Sequence, residues 1–103
     1  MWYSAKLLYE SHVDDDQRIG PLCEESIILV EADDEKSAEA KAVKHGQEGE
    51  HSYENPDGNM VVWRFVKVLE TQDLCEEKLY PGVEVYSRLY RKNLGDDDPV
   101  AED

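Results

Sequence analysis

Glu25–Ala42 reads ESIILVEADDEKSAEAKA, and within these eighteen residues one kind of secondary structure gives way to another. Ile27-Ile28-Leu29-Val30 is a short apolar run without alternation. It predicts a strand over 26–32 that is covered on both faces and therefore central in its sheet. Asp33 or Asp34 then supplies a helix N-cap, and Glu35 stands in the first turn, where the helix dipole favours an acid. The helix is expected to run to about His45 or Glu48. Its buried stripe is Ala38, Ala42 and Val43, with Gly46 near the end, and small residues at i and i+4 let a helix lie close to a sheet. Lys36, Glu39, Lys41, Lys44 and Glu48 are left facing water.

Upstream, residues 2–10 alternate. Tyr3, Ala5, Leu7 and Tyr9 make an apolar set, and Trp2, Ser4, Lys6 and Leu8 a mixed one, as a half-buried strand requires. This strand can pair antiparallel with the next, across a polar loop over 11–21 that holds Asp14-Asp15-Asp16 and a Gly20-Pro21 breaker. Downstream, Asn55-Pro56-Asp57-Gly58 is a strong local signal. Proline presets the first central residue of a type I turn, Asp suits the second, and Gly tolerates the left-handed conformation that follows. A hairpin is predicted, with a short strand over 51–54 and a long one from Asn59 to about Thr71. On the long strand Val61, Trp63, Phe65 and Leu69 fall on one side, and Met60, Val62, Val66 and Val68 on the other. A helical turn around 74–79, a Pro81-Gly82 stop and a last strand over 83–90 complete the ordered part.

The expected fold class is therefore α+β: a four- to five-stranded, mainly antiparallel sheet with one main helix on one face, in β-β-α-β-β-β order. Residues 1–92 form a single domain in this reading. Residues 93–103, rich in Gly, Asp, Pro and Glu, form a disordered acidic tail. A helix is about 10 Å wide and strands sit about 4.8 Å apart, so one helix cannot roof both sides of such a sheet.

Charge and composition narrow the function classes. The chain has 103 residues, 25 Asp and Glu against 11 Lys and Arg, and a formal net charge of −14. Such a molecule is repelled by nucleic acid and by anionic membranes and favours basic partners. No apolar run is long enough to span a bilayer, and residues 1–6 lack the pattern of a secretion signal. The expectation is a cytoplasmic protein with Cys23 and Cys75 as free thiols.

Reactive motifs are not found. His12, His45 and His51 have no metal-ligand spacing with the two cysteines, so no metal is expected. From Asp14 the calcium-loop pattern breaks at Arg18 and Ile19. Cys23, beside Glu24 and Glu25, lacks the electropositive setting of a nucleophilic cysteine. No phosphate-binding glycine loop or nucleophile elbow occurs, so no catalytic residue and no cofactor are assigned and a non-enzymatic role is expected.

One constellation stands out. Lys6, Arg64, Lys67, Arg88 and Arg91 lie in or beside predicted strands, interleaved with Trp2, Tyr86 and Tyr90. If Trp2, Lys6, Arg64, Tyr86, Arg88 and Tyr90 share the helix-free side, that side is aromatic and basic within an acidic molecule. It can be a solvated surface covered by long aliphatic stems, a dimer or partner interface, or a small anionic-ligand site.

Trp2-Tyr3-Ser4-Ala5-Lys6, Glu25–Ala42, His51–Glu70 with its Trp63-Arg64-Phe65 core, and Gly82–Arg88 together resemble a small bacterial family, domain of unknown function 4288, over residues 1–91. The resemblance brings no catalytic residues and implies a stand-alone bacterial protein. Three functions remain in view. They are a protein-interaction module that can be a homodimer, an inhibitor or immunity-type protein masking a basic nucleic-acid enzyme, and a small-ligand binder or enzyme using the sheet face.

Overall fold

The computed structural model describes residues 1–13 and 20–92. Five elements follow one another: β1 (Trp2–Val13), β2 (Cys23–Glu31), α1 (Glu35–Glu48), β3 (His51–Glu54) and β4 (Met60–Asp73). The strands form one four-stranded antiparallel sheet in the order β2-β1-β4-β3, with the helix on one face. The expected α+β class, a four-stranded antiparallel sheet with one helix on one face, stands. β1 and β2 begin or end a few residues beyond the expected limits, taking in Ser11–Val13 and Cys23–Glu25.

The helix begins where the sequence places it. Asp34 is extended at φ −150°, and its Oδ1 accepts from the Ser37 N–H at 2.7 Å. That bond holds the Asp34 carboxyl below its ordinary pKa, because the donor favours the ionised form. Ala38, Ala42 and Gly46 face inward. They pack with Tyr3, Ala5, Leu7, Val30 and Ala32, while Tyr9, Phe65 and Val68 close the rim. Gly46 permits this approach. A Cβ there would lie 2.4 Å from the Phe65 ring. The Tyr9 hydroxyl donates to the Gly46 carbonyl at 3.1 Å, adding to the Gly49 N–H that the same carbonyl accepts at 3.2 Å in the last turn.

The Asn55–Gly58 turn also forms as read. Gly58 has φ +85°, and its N–H donates to the Asn55 carbonyl at 3.0 Å. Asn55 Oδ1 accepts from the N–H groups of Asp57 and Asn59, so one side chain fixes the loop. The resulting register sets Glu54 opposite Met60 and His51 opposite Trp63.

Four expectations are corrected. First, β2 is an edge strand, not a central one. Val30 is buried, but Ile27 and Leu29 are 43% and 39% exposed. Second, the phase of β4 changes along its length. The β1 pairing shifts between Lys6 and Leu7 and again between Leu8 and Tyr9, leaving Leu69 and Val66 without partners. Each shift is a bulge that adds one residue to β4. Val68 thus faces the helix opposite Leu7, the reverse of the simple alternation. Third, no helical turn forms at 74–79. Asp73 Oδ1 accepts from the Cys75 N–H, Cys75 takes φ 59°, and the chain runs beside Trp2. Fourth, residues 83–90 form no strand. The calcium-loop test at Asp14 and the tail over 93–103 fall outside the described residues.

Candidate functional site

Residues on the two sides of the sheet separate by register. Lys6 lies opposite Ile27 on β2 and Glu70 on β4, Leu8 opposite Glu25 and Lys67, and Glu10 opposite Cys23 and Arg64. These positions alternate with the helix-facing set, so Trp2, Lys6 and Arg64 do share the helix-free side. Carboxylates share it with them. Glu10, Glu25, Glu31 and Glu70 occupy the same register rows, so this side is of mixed charge rather than basic.

The segment over 83–90 lies against this side near its Trp2 end. Gln72, opposite Ser4, holds it by the backbone: Nε2 donates to the Ser87 carbonyl at 2.9 Å, and Oε1 accepts from the Ser87 N–H at 3.3 Å. A side-chain amide does here what a neighbouring strand would otherwise do. Lys6 provides the second tie. Its Nζ donates to the Tyr86 hydroxyl at 2.9 Å, sits 4.5 Å from the Tyr86 ring centroid, and lies 3.5 Å from Glu25 Oε1. The Lys6 ammonium is held above its ordinary pKa first by the Tyr86 bond, against an opposing effect of burial, with Glu25 adding to the rise. Ser4 beneath is only 2% exposed. The helix-free side is thus partly closed by the chain itself, which the expectation of an uncovered face did not include.

The remaining expected site residues are dispersed. Arg88 stacks over Tyr90 at 5.7 Å, both exposed. Arg64 lines a shallow hollow with Glu50, His51 and Trp63, and Arg88 does not line it. Of the six expected residues, the structure joins Lys6 to Tyr86 and Arg88 to Tyr90 in direct contact. Gln72, Glu25 and Ser87 are partners that sequence reading missed. No periodicity marks a side chain that pairs with a distant backbone.

The chain belongs to the DUF4288 family. The family model, described as Domain of unknown function (DUF4288), matches residues 2–87. It therefore takes in the sheet, the helix and most of the segment that crosses the helix-free side of this DUF4288 protein. No curated protein and no solved structure matches the chain.

His12, His51 and the two cysteines of the DUF4288 chain keep local company. His12 lies 3.8 Å from Glu10, His51 Nδ1 3.0 Å from the Gly49 carbonyl, Cys23 Sγ 3.8 Å from the Pro21 carbonyl and Cys75 Sγ 3.8 Å from the Asp73 carbonyl. Each of these partners is two residues away. Both cysteines are free and exposed. Among the described residues no group of three His, Cys, Asp or Glu side chains is arranged to hold a metal ion, and no helix is long and apolar enough to cross a membrane.

Two further concavities flank the helix. Beyond its C-terminal end the sheet carries a near-parallel row in which His51 lies 6.1 Å from Tyr53 and 6.5 Å from Trp63. With Tyr9, Glu24 and Ser26 the row lines a hollow of ≈ 340 Å³. Burial raises the Tyr9 hydroxyl's pKa, and the Glu24 and Glu50 carboxylates raise it further. Along the other flank, between α1 and β4, runs an open groove of ≈ 530 Å³.

Proposed function

We propose that this DUF4288 protein is a non-enzymatic, cytoplasmic protein-interaction module whose contact surface is the helix-free side of the sheet, and that it self-associates there. The observation that carries the reading is the apolar strip on β2. Ile27 and Leu29 project to that side opposite Lys6 and Ser4, and both remain well exposed. The crossing segment leaves Leu89 86% and Tyr90 52% exposed. A sheet side meant only for water would be expected to carry polar residues at such positions. Arg and Tyr, which favour interfaces, also stand exposed on the crossing segment at Arg88 and Tyr90.

The test is sedimentation velocity over a wide concentration range. The native chain is expected to form dimers, and the Ile27→Lys, Leu29→Lys double variant to stay monomeric with unchanged circular dichroism. A native chain that remains monomeric at the highest concentrations overturns self-association. The alternative of an inhibitor that masks a basic enzyme draws support from the net charge of −14, which speeds encounter with a basic surface at low salt.

A further inference from the structure

The groove between α1 and β4 combines three features that belong together chemically. The first is an unaccompanied strand edge. β3 pairs only with Met60–Trp63, so from Arg64 to Asp73 the outer edge of β4 has no neighbouring strand among the described residues. The Phe65 N–H on that edge donates instead to Glu50 Oε2 at 3.0 Å. A side-chain carboxylate holds the place of a strand carbonyl.

The second feature is apolar surface at the same edge. Val66 and Leu69, the two bulge residues, are 42% and 39% exposed. The third is an acidic wall. Glu35, Glu39, Val43 and Gln47 recur every four residues on α1, which places them in one row facing this edge. Glu50 extends the acidic lining, and Lys67 is the single base among the lining residues. The groove of ≈ 530 Å³ shares Glu39 and Val68 with a second hollow of ≈ 310 Å³, so the two adjoin along the stretch from Gln47 to Thr71. The far end is closed by Thr71 Oγ1 donating to Glu35 Oε1 at 3.0 Å. Residues 65–71 span about 20 Å at roughly 3.3 Å per residue, the reach of an extended segment of about six residues.

We infer that this groove binds an extended segment of a partner protein in which Lys or Arg alternates with aliphatic residues, added to the sheet as a strand beside β4. Its carbonyls take the edge N–H groups. Its aliphatic side chains cover Val66 and Leu69. Its basic side chains reach the carboxylates of α1. At Phe65 the incoming carbonyl displaces Glu50, whose freed carboxylate then pairs with a base on the segment. Strand addition of this kind draws affinity from the backbone and selectivity from the flanking side chains. A second copy of the chain is a poor occupant. A two-fold pairing of β4 with β4 would set Glu35 and Glu39 of one protomer near the same carboxylates of the other. The inference does not rest on the helix-free side, and the two readings stand or fall separately.

The probe is an acetylated, amidated Val-Lys-Val-Arg-Val-Lys peptide, titrated into the ¹⁵N-labelled full chain at low salt. Shifts are expected at the amides of residues 64–71 and along α1, with slowed hydrogen exchange on the β4 edge. The exposed Glu35→Lys, Glu39→Lys double variant is expected to weaken binding at least tenfold, with its own spectrum otherwise preserved. The acidic Val-Glu-Val-Glu-Val-Glu peptide of the same length is expected not to bind. Shifts centred on Ile27, Leu29 and Tyr86, equal affinity for the charge-reversed variant, or binding of the acidic peptide would each overturn the inference. So would β4-edge protection that grows with protein concentration in the absence of peptide, because it would identify a second copy as the occupant.

Discussion

On one side of the sheet α1 sets Ala38, Ala42 and Gly46 among Tyr3, Leu7 and Phe65; on the other, residues 83–90 hold on through Gln72 and Lys6. The first closure is apolar and close-packed, tight enough that a missing Cβ decides whether it forms. The second consists of hydrogen bonds between polar groups that water can also satisfy. Burial of apolar surface contributes about 25 cal/mol per Å², while a net hydrogen bond contributes only about 1 kcal/mol. The helix is therefore integral to the fold. The crossing segment can come away with little loss of global stability.

This contrast can be broken at its strong side first. Gly46→Ala gains up to about 1 kcal/mol of helix propensity but forces a methyl against the Phe65 ring, and overpacking of this kind costs about 1–3 kcal/mol. The Phe65 ring cannot retreat freely, because it meets Tyr9 edge-on at 5.8 Å. A net loss of stability is expected, read as a lower denaturant midpoint at unchanged slope, with recovery on adding Phe65→Leu. An unchanged midpoint would show that the helix does not lie as close as the contact requires.

A smaller effect is expected at the helix start. Asp34→Ala removes the acceptor for Ser37 and lowers the thermal midpoint at neutral pH. Because the folded-state pKa of Asp34 is depressed, its ionic contribution is present above the ordinary carboxylate value and is lost as pH falls through the depressed one. The gap between native chain and variant should therefore narrow in acid. A gap independent of pH would mean that the carboxylate charge plays no part.

The smallest effect is expected on the other side of the sheet. Tyr86→Phe removes the hydroxyl that holds Lys6 and should change global stability by less than about 0.5 kcal/mol. Amide exchange at Ser87 should nonetheless quicken, reporting local opening. A stability loss as large as that of Gly46→Ala would place this segment on the same footing as the helix.

The same contrast explains what could be read from the residues. A cap at Asp33 or Asp34, the Ala38–Ala42 stripe, the Tyr3–Tyr9 alternation and the Asn55–Gly58 turn each depend on neighbours within a few positions, and all were legible. What depends on distant partners was not. Ile27–Val30 reads as a buried central run, yet it lies at an edge whose apolar outer residues meet no strand among the described ones. The β4 phase slips at Val66 and Leu69 come from pairing with β1 and leave no mark in the composition. Val83–Tyr90 has a strand's alternation, but its Ser87 backbone groups are taken by the Gln72 side chain. Of the candidate site, Lys6 and Tyr86 were named and do meet. The carboxylates beside them lie far along the chain or on another strand, so only the sheet register reveals a surface of mixed charge.

The two bulges carry one more implication. Thirteen residues of β4, Val61–Asp73, lie opposite eleven of β1, Tyr3–Val13. Two residues are surplus to the ladder, and both sit where the strand is exposed. Losing one of them would straighten the strand locally rather than turn every later side chain inside out. Chain length is thus a tolerated variable at the rim that faces the groove, even though it is rigidly fixed one strand further in.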